Sequence, residues 1–188
     1  LIPWTFFTTS ITQAGSTFIA NGNIVKKVYF PREILPIAVV TSTMVNFAIS
    51  TIIILALSLL YGMGISVYLL AYPIIMVIQF IFQLGLAFIV SSVTVYLRDI
   101  EHFIGIASQV LFYATPIVYA ASSIPAEYQF IMKLNPMAYI IDAYRSIFYY
   151  HTAPDWAGLG IILLVALITL VIGYLIFKKL QKGFAEEL

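Results

Sequence analysis

Ionisable side chains are sparse in this sequence of 188 residues, and they form no recognisable catalytic pattern. There are two histidines, eight acidic residues, nine basic residues and no cysteine. The lack of cysteine excludes disulfides, thiolate metal sites and cysteine nucleophiles. The HExxH, GxSxG and GxxxxGK[ST] patterns are also absent. We therefore expect no catalytic residue, no metal site and no ATP hydrolysis by this chain alone.

Uncharged polar side chains recur inside the apolar stretches and are the better candidates for a functional role. Thr43, Asn46 and Ser50 share one helix face, and Gln79 and Gln83 share another. We expect both faces to turn into the protein, where they would either form hydrogen bonds between helices or line a polar translocation path. Asn46, Ser50, Gln79 and Gln83 are the candidate path residues found in this way, with Asn46 and Gln83 the preferred pair.

Two groups of charged residues each have a structural and a functional interpretation. Asp142 and Arg145 are three apart on one helix face, which favours an ordinary salt bridge over a role in substrate binding. Lys26, Lys27 and Arg32 are explained by retention of basic residues on the cytoplasmic side, but the same charges would suit a lipid-linked phosphate.

The composition indicates a membrane protein with a single membrane domain. Hydrophobic residues make up 62% of the chain, charged residues 9%, and the mean hydropathy is +1.04. So apolar a chain needs lipid around much of its surface. The net charge is +1 and no basic stripe is present, so no nucleic-acid partner is indicated. No acidic residue lies near the middle of an apolar run, which argues against a buried proton or sodium relay.

Five apolar runs predict an all-α integral membrane protein with five transmembrane helices in this fragment. About 20 apolar residues are needed to cross a bilayer. The runs are Ile2 to Ala20, Ile34 to Leu60, about Val67 to Tyr96, Phe103 to about Ala121, and Gly158 to Phe177.

Prolines divide residues 122–155 into pieces that are too short to cross. We expect two short helices here, re-entrant or interfacial, on the outer side of the membrane. Asn135 followed by Pro136 is a typical helix start, because Asn caps free N–H groups and Pro has none to satisfy. The sequence Thr152-Ala153-Pro154-Asp155 resembles a capping box that would open the last helix.

Lys and Arg in the short loops predict the orientation. Seven of them lie in 21–33, 97–102 and the tail after Phe177, against two in 122–157 and none in 61–66. The C-terminus is therefore expected in the cytoplasm and Leu1 outside, with His102 and His151 on opposite sides of the membrane. An upstream segment with at least one more span would complete six spans, with both termini inside.

The order of several short motifs resembles ABC-2 type permeases that export polysaccharides, O-antigens and teichoic acids. The segment 21–36 resembles the loop after the second transmembrane helix of that family. The other matching motifs are Tyr96-Leu97-Arg98-Asp99, Thr115-Pro116-Ile117-Val118-Tyr119, Asn135-Pro136-Met137 and Tyr144-Arg145. The resemblance implies one ABC-2 type transmembrane domain over residues 1–188, lacking the N-terminal interface helix and the first span.

The resemblance also implies partners. Members of this family form homodimers that bind two ABC ATP-binding subunits, so ATP and Mg²⁺ are expected on the partner and no cofactor on this chain. The implied substrate is a lipid-linked glycan, and the implied location is the cytoplasmic membrane of a bacterium or archaeon.

Functional residues follow from the resemblance by position. The residues implied in coupling to the ATP-binding subunit are Asn23, Lys26, Lys27, Tyr29, Phe30, Arg98, Asp99 and His102. Tyr119, Tyr144 and Arg145 join the candidate translocation path, and Lys26, Lys27 and Arg32 are the candidate contacts to lipid phosphate. An ABC-2 permease for drugs or small lipids is the main alternative, and an ion-coupled carrier or a glycosyl-lipid transferase is disfavoured.

Overall fold

The computed structural model describes residues 1–28, 30–61, 66–117 and 135–187. The described parts are helical, with no β-strand among them. The helices are α1 (Ile2–Ala20), α2 (Gly22–Lys27), α3 (Ile34–Leu60), α4 (Tyr72–Tyr96), α5 (Ile100–Ala114), α6 (Pro136–Arg145), α7 (Trp156–Leu180) and α8 (Phe184–Glu187). Short 3₁₀ turns at Val67–Ala71 and Gln181–Gly183 extend α4 and α7, and a π-helical turn, Ser146–Tyr150, follows α6.

Three helical stretches of the described chain are long and apolar enough to cross a membrane: Ile34–Leu60, Val67–Tyr96 and Trp156–Gly183. They correspond to the second, third and fifth predicted spans, and they make this a multi-pass membrane protein. Helix α5 has 15 residues and is about 22 Å long, shorter than a hydrocarbon core of about 30 Å. Helix α1 has 19 residues, many of them polar. The count of five spans therefore stays a prediction.

Helix α4 lies at the centre of the bundle. It packs against α1, α3 and, along most of its length, α7. Gly85 of α4 and Gly173 of α7 face each other so closely that a Cβ on Gly173 would overlap the carbonyl oxygen of Gly85. A Cβ on Gly85 would lie 2.6 Å from the backbone nitrogen of Leu170. Small residues let membrane helices approach to this distance, where backbone contacts replace side-chain packing.

Aromatic clusters hold the two ends of the bundle. At one end Phe47 stacks on Phe6 with ring centroids 4.9 Å apart and contacts the Tyr144 ring edge-on at 5.6 Å. At the other end the fully buried ring of Phe184 lies 4.8 Å from Phe18 and 5.8 Å from Phe177. The second cluster anchors the C-terminal segment onto α1 and α7.

The predicted helix start at Asn135-Pro136 is confirmed. The Asn135 carboxamide oxygen accepts a hydrogen bond of 3.0 Å from the Met137 backbone N–H, and Pro136 is the first helical residue. The Asn135 amide also donates to the Thr115 hydroxyl at 2.8 Å, which ties α6 to the end of α5. The first of the two predicted short helices falls in 118–134, outside the described residues.

Two local predictions are wrong. The capping residue of α7 is Asp155, whose carboxylate accepts from the Ala157 N–H at 3.1 Å, so Thr152 opens no capping box and the helix begins at Trp156. Asp142 and Arg145 form no salt bridge. The Arg145 guanidinium donates to the Pro116 carbonyl oxygen at 2.6 Å instead, while Asp142 is exposed. The hydrogen bond from Arg145 to a carbonyl oxygen inside the protein is favoured over an exposed salt bridge with Asp142, because exposed salt bridges contribute little.

Candidate functional site

Helix α1 has a polar outer face. Its large apolar side chains turn inward, so that Trp4, Phe6 and Phe7 are buried. Between residues 5 and 16 the outward side chains are all polar, and they form the polar stripe, defined as Thr5, Thr8, Thr9, Thr12, Gln13 and Ser16, each exposed or half-buried. A helix that meets lipid shows the opposite pattern, because polar groups are unfavourable in hydrocarbon.

Hydrogen bonds within α1 satisfy only part of the polar stripe. The hydroxyls of Thr8 and Ser16 bond to carbonyl oxygens of their own helix at 3.2 and 3.4 Å, which is common for Ser and Thr in membrane helices. Gln13 is exposed and forms no side-chain hydrogen bond within the described part of the chain. Its carboxamide therefore needs water, a substrate or another protein surface.

A groove between α1 and α3 continues the polar surface. It has a volume of about 160 Å³ and is lined by Thr5 and Thr9 of α1 and by Thr43, Asn46 and Ser50 of α3, with Ile2, Phe6 and Phe47 at its base. Asn46 is exposed and Ser50 half-buried. Two of the predicted path residues thus lie together on an accessible polar surface.

Gln79 and Gln83 lie elsewhere, inside the bundle. Both side chains have 0% relative exposure. The Gln79 amide donates to the Pro3 carbonyl oxygen at 2.8 Å, and the Gln83 carboxamide oxygen accepts from the Ser10 hydroxyl at 3.0 Å, which also bonds to Thr43 at 2.7 Å. These contacts support the interpretation that the two glutamines join α4 to α1 by hydrogen bonds. Their role as path residues stays a prediction.

Tyr144 and Arg145 line a second pocket, of about 360 Å³, beside the C-terminal half of α3. Its walls are mainly apolar and include Phe47, Ile117 and Phe148. The Tyr144 ring is buried and its hydroxyl has no hydrogen-bond partner among the described residues. Tyr119, the remaining predicted path residue, falls outside the described residues.

Helix α5 packs loosely against α1. Ile104 is its only buried side chain and contacts the α1 backbone at Gly15, where an added Cβ would lie 3.0 Å from the Ile104 Cδ1 atom. Gln109, in the middle of α5, is exposed and has no hydrogen-bond partner within the described chain. Neither Gln109 nor the polar stripe was among the residues predicted from the sequence. The recurrence of Thr, Gln and Ser every three to four residues in α1 is the signal that would have identified the stripe.

Contacts join the loop between α1 and α3 to the end of α7. Glu33 forms an ion pair with Lys178, and the Arg32 guanidinium donates to the Gln181 carbonyl oxygen. The Arg32 guanidinium also lies 5.8 Å from the ring centroid of Phe184. The Glu33–Lys178 pair is the only ion pair found between described residues.

The predicted coupling residues fall in two exposed segments. Asn23, Lys26 and Lys27 are exposed on α2, with Phe30 half-buried just after it. Arg98, Asp99 and His102 are exposed at the junction of α4 and α5. Tyr29 lies outside the described residues.

Both of these exposed segments adjoin the C-terminal turn. The Tyr96 hydroxyl at the end of α4 donates to the Leu180 carbonyl oxygen at 2.7 Å, one residue before the carbonyl that Arg32 binds. The C-terminal turn, residues 180–184, therefore contacts Arg32 and Tyr96, which lie next to the two predicted coupling segments.

Acidification is expected to break the Glu33–Lys178 pair only at low pH. The hydrogen bond from Lys178 lowers the pKa of Glu33 below its ordinary value, so the pair persists above the ordinary glutamate pKa of about 4.3 and is lost as the pH falls through the lowered value. The difference in thermal midpoint between wild type and Glu33→Gln should hold from about pH 8 to about pH 5 and shrink only as the pH falls below the ordinary glutamate pKa of about 4.3. Glu101→Gln, at an exposed and unpaired acid, is the control. A difference that already shrinks between about pH 7 and about pH 6 contradicts the assignment.

Comparison with known proteins places these features in a family. The ABC-2 type transporter model matches residues 1–149. Two O-antigen export system permease proteins RfbA from Klebsiella pneumoniae are 35% and 34% identical over 189 residues, and a protein of the same name from Myxococcus xanthus is 32% identical over 190 residues. Each alignment covers 100% of this chain and 73% of the relative. This chain belongs to the ABC-2 type transporter family.

Proposed function

We propose that this chain is the membrane permease subunit of an ABC exporter that moves a lipid-linked polysaccharide out of the cytoplasm. The polar surface formed by the α1 stripe and the α1–α3 groove carries the proposal, because a membrane protein that only packed against lipid would not present it. The family and the names of the relatives support the substrate class, since all three are O-antigen export permeases.

The path would form where two copies of the chain meet. Helix α1 contacts both α3 and α5, and these neighbours add two exposed amides, Asn46 on α3 and Gln109 on α5. Two such surfaces facing each other would surround the glycan with hydroxyl and amide groups that can form hydrogen bonds with it. The same arrangement would keep these protein groups away from lipid. Tyr144 and Arg145 would line the outer mouth, together with Tyr119.

Energy would come from two ABC ATP-binding subunits, which bind the ATP and Mg²⁺. On the cytoplasmic side, the exposed segments around Lys26 and Arg98 would contact the ATP-binding subunits and move with them. The C-terminal turn contacts Arg32 and Tyr96, next to these segments, and would make the two segments move together. The cytoplasmic C-terminus, the five-span count, the homodimer and the lipid-phosphate contacts of Lys26, Lys27 and Arg32 are parts of the same proposal.

The test is reconstitution of the full-length protein with its candidate ATP-binding subunit in lipid nanodiscs. The wild-type complex should form stably and hydrolyse ATP faster when lipid-linked glycan is added. Arg98→Ala with Asp99→Ala should lower that stimulation about tenfold, within the usual range of coupling free energies. Asp142→Ala, which removes an exposed acid away from the cytoplasmic segments, should leave it unchanged.

Other outcomes identify other functions. Stimulation by drugs or small lipids, with none by lipid-linked glycan, would overturn the substrate class but keep the ABC-2 mechanism. Transport driven by an ion gradient, without any stable complex with an ATP-binding subunit, would overturn the proposal as a whole.

A further inference from the structure

A basic pocket lies between the loop that follows α1 and the end of α7. Its volume is about 660 Å³, and its charged lining consists of Lys26, Lys27, Arg32, Glu33, Lys178 and Lys182. Three of these side chains come from the loop 26–32, one precedes α3, and two come from the C-terminal end of the chain. The pocket therefore exists only because the loop and the last helix are held together.

The charge of the basic pocket is unbalanced. It contains five cations and one carboxylate, and that carboxylate is already engaged by Lys178. Lys26, Lys27 and Lys182 are exposed and have no acidic partner in the described parts of the chain. The Arg32 guanidinium already donates a hydrogen bond to the Gln181 carbonyl oxygen. The remaining ammonium groups face an open cavity, which favours an anion over a neutral ligand.

The position and walls of the pocket favour a lipid anion. Lys178 and Lys182 stand at the last turns of the stretch Trp156–Gly183, which is long and apolar enough to span the membrane. Such residues lie at the level of the phospholipid headgroups. Beside the cations the pocket is lined by Val25, Val28 and Phe30. An acidic protein surface would match the charges, but it would leave this apolar wall without a partner.

We propose that the basic pocket binds the phosphate group of an anionic lipid, and that Lys178 and Lys182 are part of the site. The inference rests on the proposed contact of Lys26, Lys27 and Arg32 with lipid phosphate, and it extends that contact to the last helix. A phosphate bound there bridges the loop to the C-terminal turn, in parallel with the Glu33–Lys178 pair. Two kinds of lipid carry such a phosphate group, a bilayer phospholipid and a polyprenyl phosphate carrier.

The experiment measures lipid binding to the full-length purified protein in detergent, with neither ATP nor transport involved. Phosphatidylglycerol, undecaprenyl phosphate and zwitterionic phosphatidylcholine are titrated separately and bound lipid is counted by native mass spectrometry. The variants are Lys182→Gln and Lys179→Gln. Both remove one exposed positive charge near the end of α7, but only Lys182 lines the pocket.

Lys182→Gln should weaken binding of the anionic lipid about fivefold, as expected for one basic residue near a lipid surface. Lys179→Gln should change it less than about twofold. Preference for undecaprenyl phosphate identifies the carrier as the source, and preference for phosphatidylglycerol identifies the bilayer.

Equal loss in the two variants, or no loss in either, overturns the pocket as a site. The same holds if phosphatidylcholine binds as tightly as the anionic lipids. Because no ATP is present, failure here is separate from failure of the nanodisc experiment.

Discussion

Replacing Gly173 with alanine is expected to destabilise the folded chain by about 1–3 kcal/mol or more, the usual range for overpacking. The added methyl group would overlap the Gly85 carbonyl oxygen. This oxygen belongs to the backbone of α4, so no side-chain rotation relieves the overlap and the helices must move apart. Because α4 packs along most of α7, that movement disturbs many contacts together. Thermal unfolding in detergent measures the effect.

The control lies on the same helix. Gly160 has nothing within 4 Å of its added Cβ, so Gly160→Ala brings the same gain in helix propensity without the clash. It should leave the thermal midpoint unchanged or raise it slightly. Similar midpoints for Gly173→Ala and Gly160→Ala would show that α4 and α7 do not meet at Gly85.

The double substitution of Thr9 and Gln13 by leucine is expected to reduce export about tenfold. The Thr9 hydroxyl and the Gln13 carboxamide would no longer form hydrogen bonds with the glycan, which are worth about 0.5–1.5 kcal/mol each. The same change should leave membrane insertion intact or improve it, since leucine is favoured inside the bilayer. Export should therefore fall without a loss of stability. Export of lipid-linked glycan into proteoliposomes and the thermal midpoint are the two measurements.

The export rate separates the two interpretations of the polar stripe. If it faces lipid, the double variant gains stability and exports normally, which would contradict the proposal. Thr41→Leu, at a half-buried threonine of α3 outside the α1–α3 groove, is the control for the chemical change. It should export at the wild-type rate.

Features governed by local sequence were predicted well. Asn135 caps α6 as expected because its carboxamide reaches a backbone N–H two residues away, a contact that needs no other part of the chain. The three longest apolar runs became helices of spanning length for a similar reason, since backbone groups in lipid can be satisfied only within the segment itself. The family resemblance, which rests on the order of motifs along the chain, is also confirmed.

Predictions that depended on the choice between nearby partners did less well. Asp142 and Arg145 have suitable spacing for a salt bridge, but Arg145 reaches the carbonyl oxygen of Pro116, twenty-nine residues away in sequence. Asp155 displaced Thr152 as the cap of α7 because the helix begins at Trp156. Arg145 had several acceptors in reach, and the tertiary arrangement chose among them.

The sequence by itself determined that this is a helical membrane protein of the ABC-2 type, because hydropathy, helix length and the order of motifs are properties of the linear chain. Only the tertiary structure decided which polar side chains are accessible. Gln13 and Gln83 are equally polar, yet Gln83 is buried against Ser10 and Gln13 faces outward. Helical periodicity shows which residues share a face, but the packing of neighbouring helices determines whether that face is covered.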